Sequence, residues 1–185
     1  MVAFAFFVFA LAACDNGREG PINNRYLTEL STQDFEMAYE LGKAFVNDFY
    51  AQKAGRAKMD FSKYIVNENL LKYSNRRTAV ETHVYDVKET FVGIEQVQFI
   101  PEDKCFYLSY TVYAKDSYTG GVSNLVEILM STVDGRLVVA DWYIACGAGI
   151  SSFDESYRPN ATIDSPYVWD NQEYVRSLFE KAGIE

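Results

Sequence analysis

Soft metal ligands are scarce in this chain: its 185 residues hold one histidine, His83, and three cysteines, Cys14, Cys105 and Cys146. A zinc site draws on clustered Cys, His or carboxylate ligands at short spacings, and no such cluster is spelled out here. Also missing are an acidic calcium loop, a glycine-rich phosphate loop and a serine nucleophile elbow. These absences leave no expected metal and no expected cofactor. A Cys/His catalytic pair would need His83 beside Cys105 or Cys146, yet both cysteines read as strand-end residues packed as small hydrophobes. Positive charge is the next shortage. Lys and Arg number 17 against 26 Asp and Glu, which gives a formal charge of -9 and a pI near 4.7. Arg76-Arg77 is the one adjacent basic pair. Phosphate backbones are bound by clustered Lys and Arg, so a nucleic-acid partner is excluded. Internal repeats and low-complexity tracts are absent too, and residues 31–185 read as one domain.

The long apolar run at the start, MVAFAFFVFALAA, meets Cys14 and then Asp15, Asn16, Arg18 and Glu19. A spanning helix needs about 20 apolar residues, so residues 1–13 are too few to cross a membrane. Their length suits the apolar region of an export signal that ends on small residues. Leu11-Ala12-Ala13-Cys14 resembles the lipobox of bacterial lipoproteins, in which the cysteine sulfur receives a diacylglycerol and becomes the mature N-terminus. That resemblance implies a signal peptide over residues 1–13, lipidation and palmitate labelling at Cys14, a tether over 14–30, and an extracytoplasmic domain anchored to the cell membrane. Export signals carry a basic segment before the apolar run, and none precedes this one, so the natural start is expected a few residues upstream.

Aromatic residues are plentiful, with 14 Tyr and 13 Phe. They suit tyrosines half-buried on a β-sheet, the favoured reading, or else a surface for sugars or peptides. Residues 32–54 read as a helix: Ser31 or Thr32 caps it, Gln33, Asp34 and Glu36 suit its positive end, and Phe35, Ala38, Leu41, Phe45 and Phe49 recur at helical spacing. Gly55 ends it. Asp60 and Asn67 are further cap signals, predicting one short and one longer helix to about residue 83. Four segments rich in β-branched and aromatic residues follow, at 90–100, 104–114, 122–132 and 136–146, and predict an antiparallel meander. Asp134-Gly135 marks a two-residue type I′ turn. Counting back from Val133 opposite Arg136, an uninterrupted ladder places Glu127 opposite Trp142 and Ile128 opposite Asp141, on different faces. Both faces are mainly apolar, so both need cover. A tail helix from Ser165-Pro166 to Gly183, with Tyr167, Val168, Tyr174, Val175, Leu178 and Phe179 as its stripe, supplies cover for one; self-association through a sheet face is the other route.

The fold class is therefore α+β: N-terminal helices on a curved antiparallel meander, with a C-terminal helix. Helices first and a meander ending in VVADWYIA resemble the NTF2-like (cystatin-like α+β) superfold over residues 32–146. The resemblance implies a cone that can hold a small ligand, and its isomerases and dehydratases use a pocket carboxylate. Glu127, Asp141, Trp142 and Tyr143 are the candidate pocket-lining residues. Glu127 has two readings: a proton shuttle with a raised pKa, or a rim carboxylate bonded to a tyrosine hydroxyl. Asp141 is either catalytic or a surface or tail-covered charge. His83 reads as a capping or surface residue. The favoured expectation is a binding or interaction module for a small ligand or an envelope protein. The alternatives are an enzyme of the SnoaL or ketosteroid-isomerase kind using Glu127, and a subunit of an envelope or secretion complex. Cys105 and Cys146 are expected at opposite ends of the sheet, too far apart for a disulfide.

Overall fold

The computed structural model describes residues 30–81, 87–116, 121–146, 153–158, 163 and 165–185. Cys14 and His83 lie outside them, and so does every expectation attached to those two residues. Helix α1 spans Thr32–Lys53. Ser31 precedes it, and the Asp34 carboxylate turns back to accept from the Ser31 amide and hydroxyl, each at 2.7 Å. The chain leaves the helix through Gly55 at φ +66°. Asp60 then caps a 3-10 turn, Phe61–Lys63. Asn67 accepts from the amides of Asn69 and Leu70 to open α2, Glu68–Glu81.

Strands β1 (Val87–Ile100), β2 (Cys105–Asp116), β3 (Val122–Val133) and β4 (Arg136–Cys146) form one antiparallel sheet in the order β1-β2-β3-β4. The meander read from the sequence is present, and the molecule is α+β with helices packed on the sheet. Asp134 and Gly135 take φ +48° and +79°, as a type I′ turn demands. One sheet face carries Leu108, Tyr110, Val126, Ile128, Met130 and Trp142, all in the core with α1. Helix and sheet come close at Gly42, where a Cβ would lie 2.4 Å from the Tyr110 hydroxyl. Any larger residue there would force the Tyr110 side chain or the helix to shift. The same hydroxyl donates to the Tyr39 carbonyl at 3.0 Å, fixing the helix along the strand.

The tail departs from the expected single helix. A short helix, α3, occupies Phe153–Tyr157. Ser165-Pro166 leads into a 3-10 turn at Val168–Asp170 instead of a continuous helix. Helix α4 begins only at Gln172 and runs to Ala182, because Asn171 caps it by accepting from Glu173 and Tyr174. Gly183 closes it at φ +63°, the expected end. Trp169, in the 3-10 turn, is buried against Tyr73 of α2 with ring centroids 5.0 Å apart.

Candidate functional site

The expected ladder between β3 and β4 breaks at one residue. Met130 faces Val139, but the next partner of β3, Leu129, faces Asp141, so Ala140 is an extra residue on β4. The bulge moves every later residue by one. Glu127 lies opposite Tyr143 and not Trp142, and Ile128 lies opposite Trp142 and not Asp141. Trp142 therefore turns to the helix-covered inner face, while Glu127, Asp141 and Tyr143 share the outer face. The four candidate lining residues do not surround one pocket, and the separation of Glu127 from Asp141 onto different faces is overturned.

The inner face around Trp142 is filled with rings. Phe45 and Phe49 meet the indole edge-on at 5.0 and 5.1 Å, and Phe61 lies at 5.8 Å. Arg77 sits over the same ring at 4.2 Å. The indole N–H donates to Ser74 Oγ at 2.9 Å. Trp142, Phe45 and Arg77 are fully buried. Arg77, half of the sole basic doublet, is thus a core residue and not part of a phosphate-binding patch.

At the outer edge of β4, charges from the tail take up backbone groups that an edge strand leaves exposed. Asp154 of α3 accepts from the Ile144 amide at 2.7 Å, from the Tyr73 hydroxyl at 2.8 Å and from Arg77 Nη1. Four residues on, Arg158 donates to the Trp142 carbonyl at 2.9 Å and to both Asp141 oxygens, at 3.1 and 2.6 Å. Asp141 also accepts from the Trp142 amide and from the Trp169 indole, each at 2.9 Å. Val139 gives its amide to the Tyr64 carbonyl at 2.9 Å. Both ion pairs have fully buried side chains. Burial alone would lower the pKa of Arg158, but the charge and hydrogen bonds of Asp141 outweigh it and raise the value. Asp141 is accordingly the tail-covered charge of the second reading, and it holds the tail to the sheet.

Glu127 accepts a hydrogen bond from a tyrosine. The Tyr107 hydroxyl donates to Glu127 Oε1 at 2.5 Å. Burial, and then the Glu127 carboxylate, push Tyr107 up to about 12, so it remains a donor at neutral pH. Tyr143, opposite Glu127, is pushed up to about 12 by burial and by Glu155 and Asp154. Its buried hydroxyl has no hydrogen-bond partner among the described residues.

Cys105 and Cys146 are both thiols. Cys146 faces Asn124, which faces Val112, seven positions along β2 from Cys105. That offset is on the order of 23 Å at roughly 3.3 Å per residue, against about 7 Å for a disulfide. Burial pushes Cys105 up to about 11, so it is not a thiolate at neutral pH. Among the described residues no cluster of His, Cys, Asp and Glu could hold a metal ion, and no helix is long and apolar enough to cross a membrane.

The sequence reading missed Asp154 and Arg158. Their spacing of four within FDESYR was the available signal, since opposite charges one helical turn apart share a face and need partners if that face is buried. Comparison with family models, with curated proteins and with solved structures found nothing that this chain matches.

Proposed function

We propose that this protein is a binding or interaction module on a domain of the NTF2-like kind, held on the extracytoplasmic side of a membrane by lipid on Cys14. One observation carries the reading: the two faces of the sheet are differently used. Rings of Phe45, Phe49 and Phe61 fill the inner face around Trp142, where the superfold's enzymes place a substrate. The outer face over β1, β2 and the start of β3 exposes Phe91, Tyr113 and Leu125 at 60, 40 and 38%. Large apolar groups left open beside one another are what a recognition surface offers. An enzyme using Glu127 is the weaker reading, because that carboxylate sits outside the core and accepts from Tyr107.

The anchor and the face are tested separately. Palmitate should label the full-length chain in a bacterial host, and Cys14→Ala should abolish labelling; equal labelling of both would remove the lipoprotein reading. A photoreactive benzophenone residue at Phe91 should give a crosslinked adduct in cells, whereas the same group at exposed Arg176 on α4 should not. No adduct from Phe91, or equal adducts from both sites, would remove the outer face as the working surface.

A further inference from the structure

We infer that the edge of β1 pairs antiparallel with the same edge of a second copy of this chain, joining two sheets around a two-fold axis. The hydrophobic core ends differently at the two edges of the sheet. Along β4 it is closed: Trp142 and Ile144 are fully buried, Asp154 accepts from the Ile144 amide, Arg158 donates to the Trp142 carbonyl, and the Tyr64 carbonyl accepts from the Val139 amide. Along β1 it is open. Leu108, Tyr110 and Val112 of β2 are fully buried, whereas of their partners on β1 Val97 and Val92 are half-buried and Ile94 is 40% exposed. Phe99 meets Phe106 edge-on at 5.0 Å and is half-buried as well. Among the described residues β1 has a neighbouring strand on one side only. Its register shifts fall beside Lys88 and Glu95, and residues 96–100, QVQFI, lie beyond both. That stretch lacks the charges and the proline with which sheet edges are kept from pairing.

Symmetry selects the occupant. A single added strand would cover β1 and keep an open edge of its own, whereas a second copy brings the same half-buried row, so that each copy completes the other's core. The covered β4 edge offers no further site, and assembly stops at two. A two-fold axis perpendicular to an antiparallel pair sets one residue opposite itself. With Val97 in that place, Gln96 faces Gln98 of the second copy on the outer side, and Val97 meets its counterpart on the inner side. Within one chain Gln96 donates to Gln98 at 2.7 Å, so the four amides of the pair carry matching donors and acceptors. The same register sets Glu95 opposite Phe99 and not opposite a second carboxylate, which matters for two chains that each carry a formal charge of -9. The axis keeps both outer faces on one side of the joined sheet, so Phe91 and Tyr113 of the two copies point the same way.

Sedimentation equilibrium of the full-length chain in density-matched detergent reads the protein mass directly. The parent should show twice the 21.1 kDa of one chain, with a Kd below about 10 µM. Val97→Lys sets two ammonium groups opposite each other and should sediment as one chain, while Val97→Thr, uncharged and of the same shape, should stay paired. Val97→Cys should form an intermolecular disulfide on mild oxidation, located by mass spectrometry, because opposed residues lie about 4.5–5.5 Å apart between Cα atoms, within disulfide reach. Arg176→Cys, on α4, should form none. A single-chain mass for the parent, a species larger than two chains, undiminished pairing of Val97→Lys, or no disulfide from Val97→Cys would each overturn the inference. The disulfide decides the matter even if Val97→Lys fails to fold.

Discussion

Arg158 and Asp154 illustrate how a buried charge can shape a fold without adding net stability. Desolvating two ions costs about as much as their attraction returns, so the gain here is geometric: the pairs hold the tail against β4 and satisfy its edge. Removing one partner strands the other. Arg158→Met should destabilise the protein by about 3–5 kcal/mol in urea unfolding, because Asp141 then loses its countercharge inside the core. A change below about 1 kcal/mol, the range of an exposed pair, would contradict the buried clasp. Tyrosine ionisation probes the outer face. A tyrosine whose folded pKa is raised binds its proton longer than in the unfolded chain, so its contribution is intact below pH 10 and is lost as pH climbs toward 12. Stability should thus fall above pH 10. Glu127→Gln removes the charge that helps raise Tyr107, and its tyrosinate absorbance should appear at lower pH than in the parent. An unchanged titration would mean that Tyr107 and Glu127 do not interact.

Elements were legible in the sequence wherever a local signal fixed them. Ser31, Asp60 and Asn67 announced helix and turn starts, Gly183 an end, and Asp134-Gly135 the hairpin, because caps and turns are set by residues within four positions of one another. The bulge at Ala140 was not legible. VVADWYIA reads equally well as an unbroken strand, and the extra residue follows from placing Trp142 among Phe45, Phe49 and Phe61, contacts far apart in sequence. For the same reason the faces of the candidate residues were not legible: a tyrosine hydroxyl on Glu127 and the tail over Asp141 could be offered from chemistry as one reading of each, whereas the face each occupies depended on the bulge. The late start of α4 has a local cause that was overlooked, since Asn171 is a stronger cap than Ser165 is in context. Deleting Ala140 removes the bulge but leaves Asp141, Trp142 and Tyr143 on their present faces, so this variant should fold. Inserting an alanine between Asp141 and Trp142 turns the indole outward, and that variant should lose its cooperative thermal transition. Similar melting of the two would refute the register.

For the whole molecule, the division of labour between faces decides what the protein can do. The N-terminus of α1 lies by the β1–β2 hairpin, as the Phe35–Phe106 ring contact at 5.3 Å shows, while Phe91 and Tyr113 lie toward the opposite end of those strands. Hydroxyl-radical footprinting of the purified full-length chain, read residue by residue by mass spectrometry, tests the central claim of a closed inner face and an open outer one. Phe91 and Tyr113 should oxidise readily, and Trp142, despite the higher intrinsic reactivity of indole, should stay protected together with Phe45 and Phe49. Oxidation of Trp142 as fast as that of Phe91 would show solvent inside the helix-covered face and contradict the account.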